Sequence, residues 1–213
     1  MDSLLGTKRG MTQIWTDEGQ RLPVTVVDVA PNLVTEVRTQ ERDGYEAVQL
    51  GYGAIREKRL TKPQIGRFKK LGIGQRRHLR EIRGPAGEFK VGEELKCDRF
   101  EAGTLVDVIG TSKGKGFQGT IKLHHFSRGP EAHGSDNVRK PGSIGMHTHP
   151  GRTLKGKRMA SMMGNARVTI RRLEIVSVDA EAGVLLIKGA VPGNNGGLLL
   201  LRKSQLQKSK GGA

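Results

Sequence analysis

The sequence contains little cysteine, few aromatic residues and no long apolar run. Cys97 is the only cysteine among 213 residues, which excludes an internal disulfide and favours a reducing compartment. No stretch approaches the roughly 18 consecutive apolar residues that a membrane span needs. The first residues also lack the basic stretch and apolar run of a secretory signal. We therefore expect a cytosolic protein in which Cys97 is a small, half-buried residue.

Acidic and apolar residues are also scarce. The chain has 37 Lys and Arg against 21 Asp and Glu, a net charge of +16. This excess requires a polyanion to screen it, and an acidic membrane surface, an acidic protein and a nucleic acid are the candidates. Nucleic acid is the commonest partner of so basic a chain. The apolar fraction of 35% is below the usual share of about 45–50%, which predicts that much of the chain lies outside a core.

Short β-branched runs separated by turn residues dominate both ends of the chain. They predict a mainly β fold, a barrel or sandwich, because the helix–strand alternation of a parallel α/β sheet is missing. A helix is expected at 62–72, between Pro63 and Gly72. Trp15, at the end of an early, short strand, is expected to pack in the core, and contact with RNA is the alternative. The expected strands lie at 23–29, 33–38, 45–50 (a hairpin partner across Asp43-Gly44), 79–83, 89–95, 104–109, 167–178, 184–188 and 198–201.

The segment from Thr111 to Arg158 has a different composition. It carries ten Lys and Arg against two acids, Glu131 and Asp136, and so a net charge of +8. Nine glycines, three prolines and five of the six histidines also lie here. Large apolar residues are sparse, so the segment cannot form a core of its own. We interpret it as a long basic extension inserted into the β domain.

A glycine motif opens this segment. Gly114, Gly116 and Gly119 match the spacing G-x-G-x-x-G, which binds dinucleotides only between a strand and a helix. No helix with capping signals is expected after Gly119, so we reject a cofactor site. A loop in which glycines let the backbone approach phosphates, and lysines neutralise them, fits better. A merely solvated basic loop is the alternative.

The five histidines of the segment suggest a metal site, which would make the protein a metalloenzyme or a metal carrier. Their spacing does not match the usual zinc patterns, no cysteine is near, and the positive charge opposes a divalent cation. Contacts to bases or phosphates are a better interpretation. The acids are scattered and the serines lack a nucleophile motif, so we expect neither catalysis nor a cofactor. Met159, Met162 and Met163 are expected to pack where the extension rejoins the barrel.

Six blocks, in order along nearly the whole chain, resemble the bacterial large-subunit ribosomal protein L-three family. They are Leu5 to Thr12, Asp43 to Gln49, Gly110 to Phe117, Pro141 to Gly145, Lys155 to Ala160 and Gly189 to Gly193.

The resemblance implies a six-stranded barrel of the translation-protein type, minor helices and a long irregular extension. The implied domains are a barrel at 1–110 and 165–205, an extension at 111–164 and a basic tail at 206–213. The implied function is that of a structural, non-enzymatic component of the large ribosomal subunit. It would bind near the 3′ end of 23S rRNA, nucleate assembly and reach toward the peptidyl transferase centre. The implied neighbours are the large-subunit proteins numbered fourteen and nineteen.

Cations and histidines in the matching blocks and the extension are the expected RNA contacts. In many family members a glutamine near the tip is methylated on its amide; here that position is occupied by Thr148. We therefore expect no such modification. The expected tip comprises Gly145, Met146, His147, Thr148, His149 and Pro150. The expected RNA-binding residues are Lys8, Arg9, Lys113, Lys115, Lys122, His124, His125, Arg128, His133, Arg139, Lys140, His147, His149, Arg152, Lys155, Lys157, Arg158 and Arg167. Non-specific compaction of nucleic acid is the remaining alternative.

Overall fold

The computed structural model describes residues 2–85, 87 and 89–205; the expected basic tail at 206–213 lies outside them. The helices are α1 (Gln40–Asp43), α2 (Lys62–Leu71) and α3 (Thr120–His124), with 3₁₀ turns at Glu57–Arg59 and Cys97–Arg99. The strands are β1 (Ser3–Trp15), β2 (Arg21–Asp28), β3 (Asn32–Arg38), β4 (Ala47–Ala54), β5 (Arg76–Arg83), β6 (Glu94–Leu95), β7 (Leu105–Thr111), β8 (Phe117–Gln118), β9 (Ser161–Met162), β10 (Arg167–Asp179), β11 (Val184–Lys188) and β12 (Leu198–Lys203).

A closed six-stranded barrel, in the order β1-β12-β7-β10-β11-β2, contains both ends of the described chain. Every neighbouring pair is antiparallel. β1 is long enough to pair with β12 through Ser3–Thr7 and with β2 through Thr7–Trp15, with a bulge between Lys8 and Gly10. Closure removes the unpaired edges that an open sheet exposes. The predicted six-stranded barrel is confirmed.

A second sheet, in the order β5-β4-β3-β6, is formed by the chain between β2 and β7. Helix α2 runs from Lys62 to Leu71, as predicted, and ends at Gly72 in the left-handed conformation. The Gln64 side chain accepts a hydrogen bond from the Thr61 amide at 3.2 Å, which satisfies one free donor at the start of the helix. Phe68 is the buried residue of α2.

The barrel and the second sheet share one hydrophobic core. It is made mostly of valine, leucine and isoleucine from alternating strand positions, such as Leu5, Val27 and Ile187. Fully burying each such side chain contributes about 1.5–3 kcal/mol. Asn32 is also fully buried. Its side chain accepts a hydrogen bond from the Leu5 amide at 2.9 Å and donates to the carbonyl oxygens of Leu5 and Ala30 at 3.0 and 3.1 Å, so its polar groups are satisfied.

Several local expectations are wrong. Trp15 is 67% exposed, because it ends a 13-residue strand that continues past the last residue paired with β12. Cys97 is 1% exposed and therefore fully buried rather than half-buried. Of the strand expected at 89–95, Glu94–Leu95 alone is regular. The predicted hairpin across Asp43-Gly44 is confirmed, because β3 and β4 pair antiparallel; its connection contains a four-residue helix, Gln40–Asp43, that was not expected.

None of the helices in the described part of the chain has both the length and the apolar character needed to cross a bilayer.

Candidate nucleic-acid interface

The chain divides into two compact units, one comprising Met1–Thr111 and Arg167–Ala213, the other Ser112–Ala166. We call the second unit the basic extension. Its regular elements among the described residues are the short strands β8 and β9 and the five-residue helix α3. The rest is irregular, as expected for a glycine-rich segment with few large apolar residues. Thr120 is the one buried residue of this unit.

The side chains of the basic extension are directed to solvent. All ten of its lysines and arginines are exposed. Among the described residues, one of these cations, Arg128, forms an ion pair with a carboxylate, that of Glu131. The other nine cations are therefore not neutralised within the unit. So many like charges without counter-charges repel one another, so an external polyanion is the natural partner of this surface.

A short ladder of backbone hydrogen bonds joins the two ends of the basic extension, and we call it the terminal ladder. Ser112 N donates to Ala166 O at 2.9 Å, Lys115 N to Met163 O at 2.8 Å, and Met163 N to Gly116 O at 2.9 Å. The ladder continues into β8 and β9, where Phe117 pairs with Met162. The terminal ladder therefore fixes the two positions at which the irregular part of the extension begins and ends.

Gly164 allows the two sides of the terminal ladder to approach each other. Its φ is +76°, in the region that favours glycine. A Cβ on this residue would overlap the Lys113 carbonyl oxygen and would lie 3.0 Å from Gly114 Cα. Sequence reasoning missed this role, because a glycine in a glycine-rich segment carries no signal of close backbone contact.

The histidines of the basic extension are dispersed. His124 Nε2 lies 3.0 Å from the Met159 carbonyl oxygen, and His125 ends α3 in the left-handed conformation. His147 Nδ1 lies 2.6 Å from Thr148 Oγ1. Within the described residues, no group of three or more His, Cys, Asp or Glu side chains is placed to hold a metal ion. The metal interpretation therefore gains no support from the geometry.

Part of the expected tip and its flanking residues line an exposed, shallow concavity. The lining residues are Ser143, Ile144, Gly145, Met146, His147, Gly151, Arg152 and Thr153. Ser143 Oγ donates to the Gly145 carbonyl oxygen at 2.9 Å. The exposed Arg152 side chain beside an open backbone surface suits an anionic ligand such as a phosphate.

The expected contacts in the first unit have different surroundings. Lys8 is 8% exposed, and its ammonium group donates to the carbonyl oxygens of Val191 and Gly193 at 3.1 and 3.3 Å. These contacts disfavour a phosphate contact by Lys8, because its ammonium group already holds a loop; its role in RNA binding stays a prediction. Arg9 is exposed and pairs with Asp28 at 2.7 Å. Arg167 is exposed at the start of β10, where it pairs with Thr111 of β7.

Two details of the basic extension differ from expectation. A helix does follow Gly119, but it has five residues and lies outside any βαβ unit, so the dinucleotide interpretation stays rejected. Met159 and Met162 are 39% and 72% exposed, so the expected packing of the methionines is wrong for these two. A terminal ladder made of backbone hydrogen bonds does not need their side chains.

Comparison with known proteins agrees with this architecture. A family model described as ribosomal protein L3 matches residues 88–184. The large ribosomal subunit protein uL3 of Heliobacterium modesticaldum is 55% identical over 202 residues, which cover 94% of this chain and 96% of that protein. The chain belongs to the uL3 family.

The similarity extends over almost the full length of other relatives. The large ribosomal subunit protein uL3 of Nocardia farcinica is 51% identical over 212 residues, which cover 99% of this chain and 94% of that protein. That of Thioalkalivibrio sulfidiphilus is 54% identical over 203 residues, covering 93% and 95%. The matched region therefore includes the basic extension as well as the barrel, and the resemblance based on six sequence blocks is confirmed.

Proposed function

We propose that this protein is a structural, non-enzymatic constituent of the large ribosomal subunit in the cytoplasm, and that its basic extension binds rRNA. The observation that carries the proposal is that all ten cations of the basic extension are exposed and one of them, Arg128, has a carboxylate partner. Membership in the uL3 family supports the ribosomal assignment. Each Lys or Arg placed at a phosphate releases counterions and contributes salt-dependent affinity.

Each part of the extension has its own role in this proposal. The terminal ladder sets where the extension begins and ends. Lys113 and Lys115, at the start of the extension, lie against the RNA backbone. The exposed concavity around Arg152 forms the tip, which extends toward the peptidyl transferase centre. Lys155, Lys157 and Arg158 neutralise phosphates on the return path. Because such contacts carry no base identity, the register comes from shape and from the position of the folded unit.

Finer features of the proposal follow the family resemblance. The protein binds near the 3′ end of 23S rRNA, nucleates subunit assembly, and lies beside the large-subunit proteins numbered fourteen and nineteen. Omission of the protein from a reconstitution of the subunit should delay the ordering of the 3′ region of the rRNA. Cross-linking of the assembled subunit should join it to those two neighbours. Unchanged assembly kinetics would contradict the nucleating role.

Salt-dependent binding to rRNA tests the central part of the proposal. The protein, freed of nucleic acid by nuclease and high salt, is titrated with a 3′-terminal fragment of 23S rRNA and with bulk DNA between about 50 and 200 mM salt. We expect preference for the rRNA fragment. Equal affinity for both would favour non-specific compaction. Bound zinc is measured on the same sample, and stoichiometric zinc without RNA affinity would favour a metal protein.

Variants in which cations are replaced by glutamine test which part of the chain contacts rRNA phosphates. Neutralising three extension cations, K155Q/K157Q/R158Q, should lower the slope of log K against log salt by about 2–3, because each phosphate contact contributes about 0.7–0.9. The matched control, R21Q/K90Q/K96Q, removes the same charge at exposed positions outside the extension. It should leave the slope nearly unchanged. Equal effects of the two variants would show that net charge, not the extension, determines binding.

The tip should be unmodified. Thr148 carries a hydroxyl that lies 2.6 Å from His147 Nδ1, and it has no side-chain amide nitrogen to methylate. Peptide mass spectrometry of subunits should therefore find residues 143–153 at their unmodified mass. A methyl group on this peptide would contradict the expectation for Thr148.

A further inference from the structure

The chain has a second concentration of positive charge, between residues 56 and 83. This segment holds eleven Lys and Arg against two acids, Glu57 and Glu81, a net charge of +9 in 28 residues. Thr111 to Arg158 carries +8 in 48 residues. The remaining 137 residues carry sixteen cations and seventeen acids and are close to neutral. The positive charge of the protein is thus concentrated in two segments, and residues 56–83 have the higher charge per residue.

Strand β5 and the 3₁₀ turn at Glu57–Arg59 bring this charge together. β5 is an edge strand of the second sheet, and within the described part of the chain its one partner is β4. The 3₁₀ turn follows β4, whose last residue, Ala54, pairs with Arg76 at the start of β5. Helix α2 is joined to the 3₁₀ turn by an ion pair between Lys69 and Glu57 at 3.1 Å. Helix, turn and edge strand therefore lie beside one another.

Most of these cations are exposed and have no counter-charge. Arg56, Lys58, Arg59, Arg77 and Arg80 are exposed and form no ion pair with a carboxylate within the described residues. The two cations of α2 that do pair are Arg67, with Glu36, and Lys69. The surface is therefore positive after its internal ion pairs are counted.

His78 and Arg83, both on β5, show that the surroundings of this strand are positively charged and include an aromatic contact. The pKa of His78 is lowered by burial and by the charges of Arg77 and Arg80, as expected where the potential is positive. Arg83 lies over the ring of Tyr45 at 5.1 Å. An arginine held on an aromatic face presents its planar group to solvent, where it can stack on a base or bind a phosphate.

We propose that β5 and the adjoining 3₁₀ turn form a second RNA-binding surface, separate from the basic extension, with Arg77, Arg80, Arg56 and Arg59 contacting phosphates. This inference rests on the proposed binding of rRNA. Five of the eleven cations, Arg56, Lys58, Arg59, Arg77 and Arg80, are exposed on β5 and the 3₁₀ turn region and form no ion pair with a carboxylate among the described residues. Two surfaces on one chain would let it join two RNA segments, which gains avidity without additional affinity at either surface.

A different interpretation of the same residues is structural. Cations on an exposed edge strand prevent it from pairing with the edge of another molecule. That role requires a few charges on β5 itself. It does not explain Arg56, Lys58 and Arg59, which lie in the 3₁₀ turn region outside the strand. The two interpretations differ in what removal of the charges does, so one set of variants separates them.

The test uses the full chain with the variant R77Q/R80Q and the matched control R21Q/K96Q, which removes the same charge at exposed positions outside both segments. For binding to complete 23S rRNA, the slope of log K against log salt should fall by about 1.4–1.8 in R77Q/R80Q. It should be nearly unchanged in the control. A second pair in the 3₁₀ turn region, R56Q/R59Q, should reproduce the fall. Unchanged unfolding midpoints establish that the variants are folded.

Footprinting distinguishes failure of this inference from failure of the proposed function. Hydroxyl-radical protection of 23S rRNA by the unaltered protein should comprise two sets of nucleotides. R77Q/R80Q should lose one set, and K155Q/K157Q/R158Q the other. If R77Q/R80Q retains both sets and the salt dependence of the control, the inference is overturned while extension binding stands. If it self-associates in sedimentation with unaltered RNA binding, edge protection is the correct role. If the unaltered protein has no preference for rRNA, the proposed function fails first.

Discussion

Substitution of Gly164 by alanine provides a sharp test of how the basic extension is held. The new Cβ would overlap the Lys113 carbonyl oxygen and lie 3.0 Å from Gly114 Cα. Because non-bonded heavy atoms pack optimally at about 3.5–4.0 Å, the contact with the Lys113 carbonyl oxygen is the worse of the two, and the two sides of the terminal ladder must separate by more than about 1 Å. The alanine must also adopt a φ of +76°.

The expected magnitude follows from these two effects. A non-glycine residue in the left-handed region costs about 1–2 kcal/mol. Weakening the hydrogen bonds between Lys115 and Met163 and between Met163 and Gly116 costs about 0.5–1.5 kcal/mol each. The G156A variant is a matched control, because Gly156 has a φ of +80° but no atom within 4 Å of its ideal Cβ. It should show the first effect alone.

Amide hydrogen exchange measures the outcome residue by residue. In G164A the amides of Lys115 and Met163 should exchange about 30- to 4,000-fold faster, which corresponds to the summed loss of about 2–5 kcal/mol. In G156A those amides should retain their protection, and the barrel should be unaffected in both variants. Full protection of Lys115 and Met163 in G164A would refute the reasoning, since the ladder would then tolerate a side chain where the structure has none.

Three further predictions concern the barrel unit. N32A should lower the free energy of unfolding by about 2–4 kcal/mol in denaturant titration, because it leaves the buried Leu5 amide and carbonyl unpaired; a loss below 1 kcal/mol would contradict this. K8Q should destabilise the fold without changing the salt dependence of rRNA binding, whereas a reduced slope would restore Lys8 as a contact. Burial raises the pKa of the Cys97 thiol, so alkylation at pH 8 should be far slower in the folded than in the unfolded protein, and equal rates would contradict its burial.

The pKa shift of Cys97 also sets a direction for stability. A thiol whose pKa is raised in the folded state makes its full contribution to the free energy of unfolding at pH values below its ordinary pKa. That contribution is lost as the pH rises toward the folded value.

The individual strands of the barrel were accessible from the sequence because their signal is local. β-branched runs mark β2, β7, β10 and β11 to within a few residues, and turn residues separate them. Helix α2 was accessible for the same reason, since Pro63 and Gly72 mark its two ends. The six-stranded closure itself came from the family resemblance, since strand order depends on non-local pairing.

Errors arose where exposure depends on tertiary geometry. Trp15 was assigned to the core on its chemistry, yet β1 extends past its β12 partner and leaves the ring exposed. The charge of Lys8 predicted an RNA contact and carried no sign that its ammonium group donates to the Val191 carbonyl oxygen; the RNA contact stays a prediction. The high charge density between residues 56 and 83 is present in the sequence itself. It was not predicted as a binding surface, because the same residues also have the pattern of an ordinary helix and strand.

Mobility of the free protein offers a check on the role of RNA. Beyond the terminal ladder, the basic extension has one buried residue, Thr120, and little regular structure. We expect backbone NMR order parameters there to be below about 0.6, against about 0.85 in the barrel. Equal values in both units would show that the extension is ordered without RNA.

The most direct test of the account is density for this chain within an assembled large ribosomal subunit. We predict that the basic extension is enclosed by rRNA, with Lys113, Lys115, Arg152 and Arg158 at phosphate oxygens and Lys8 directed into its own loop. An extension that lies on the solvent side of the subunit, with these cations away from RNA, would contradict the central claim.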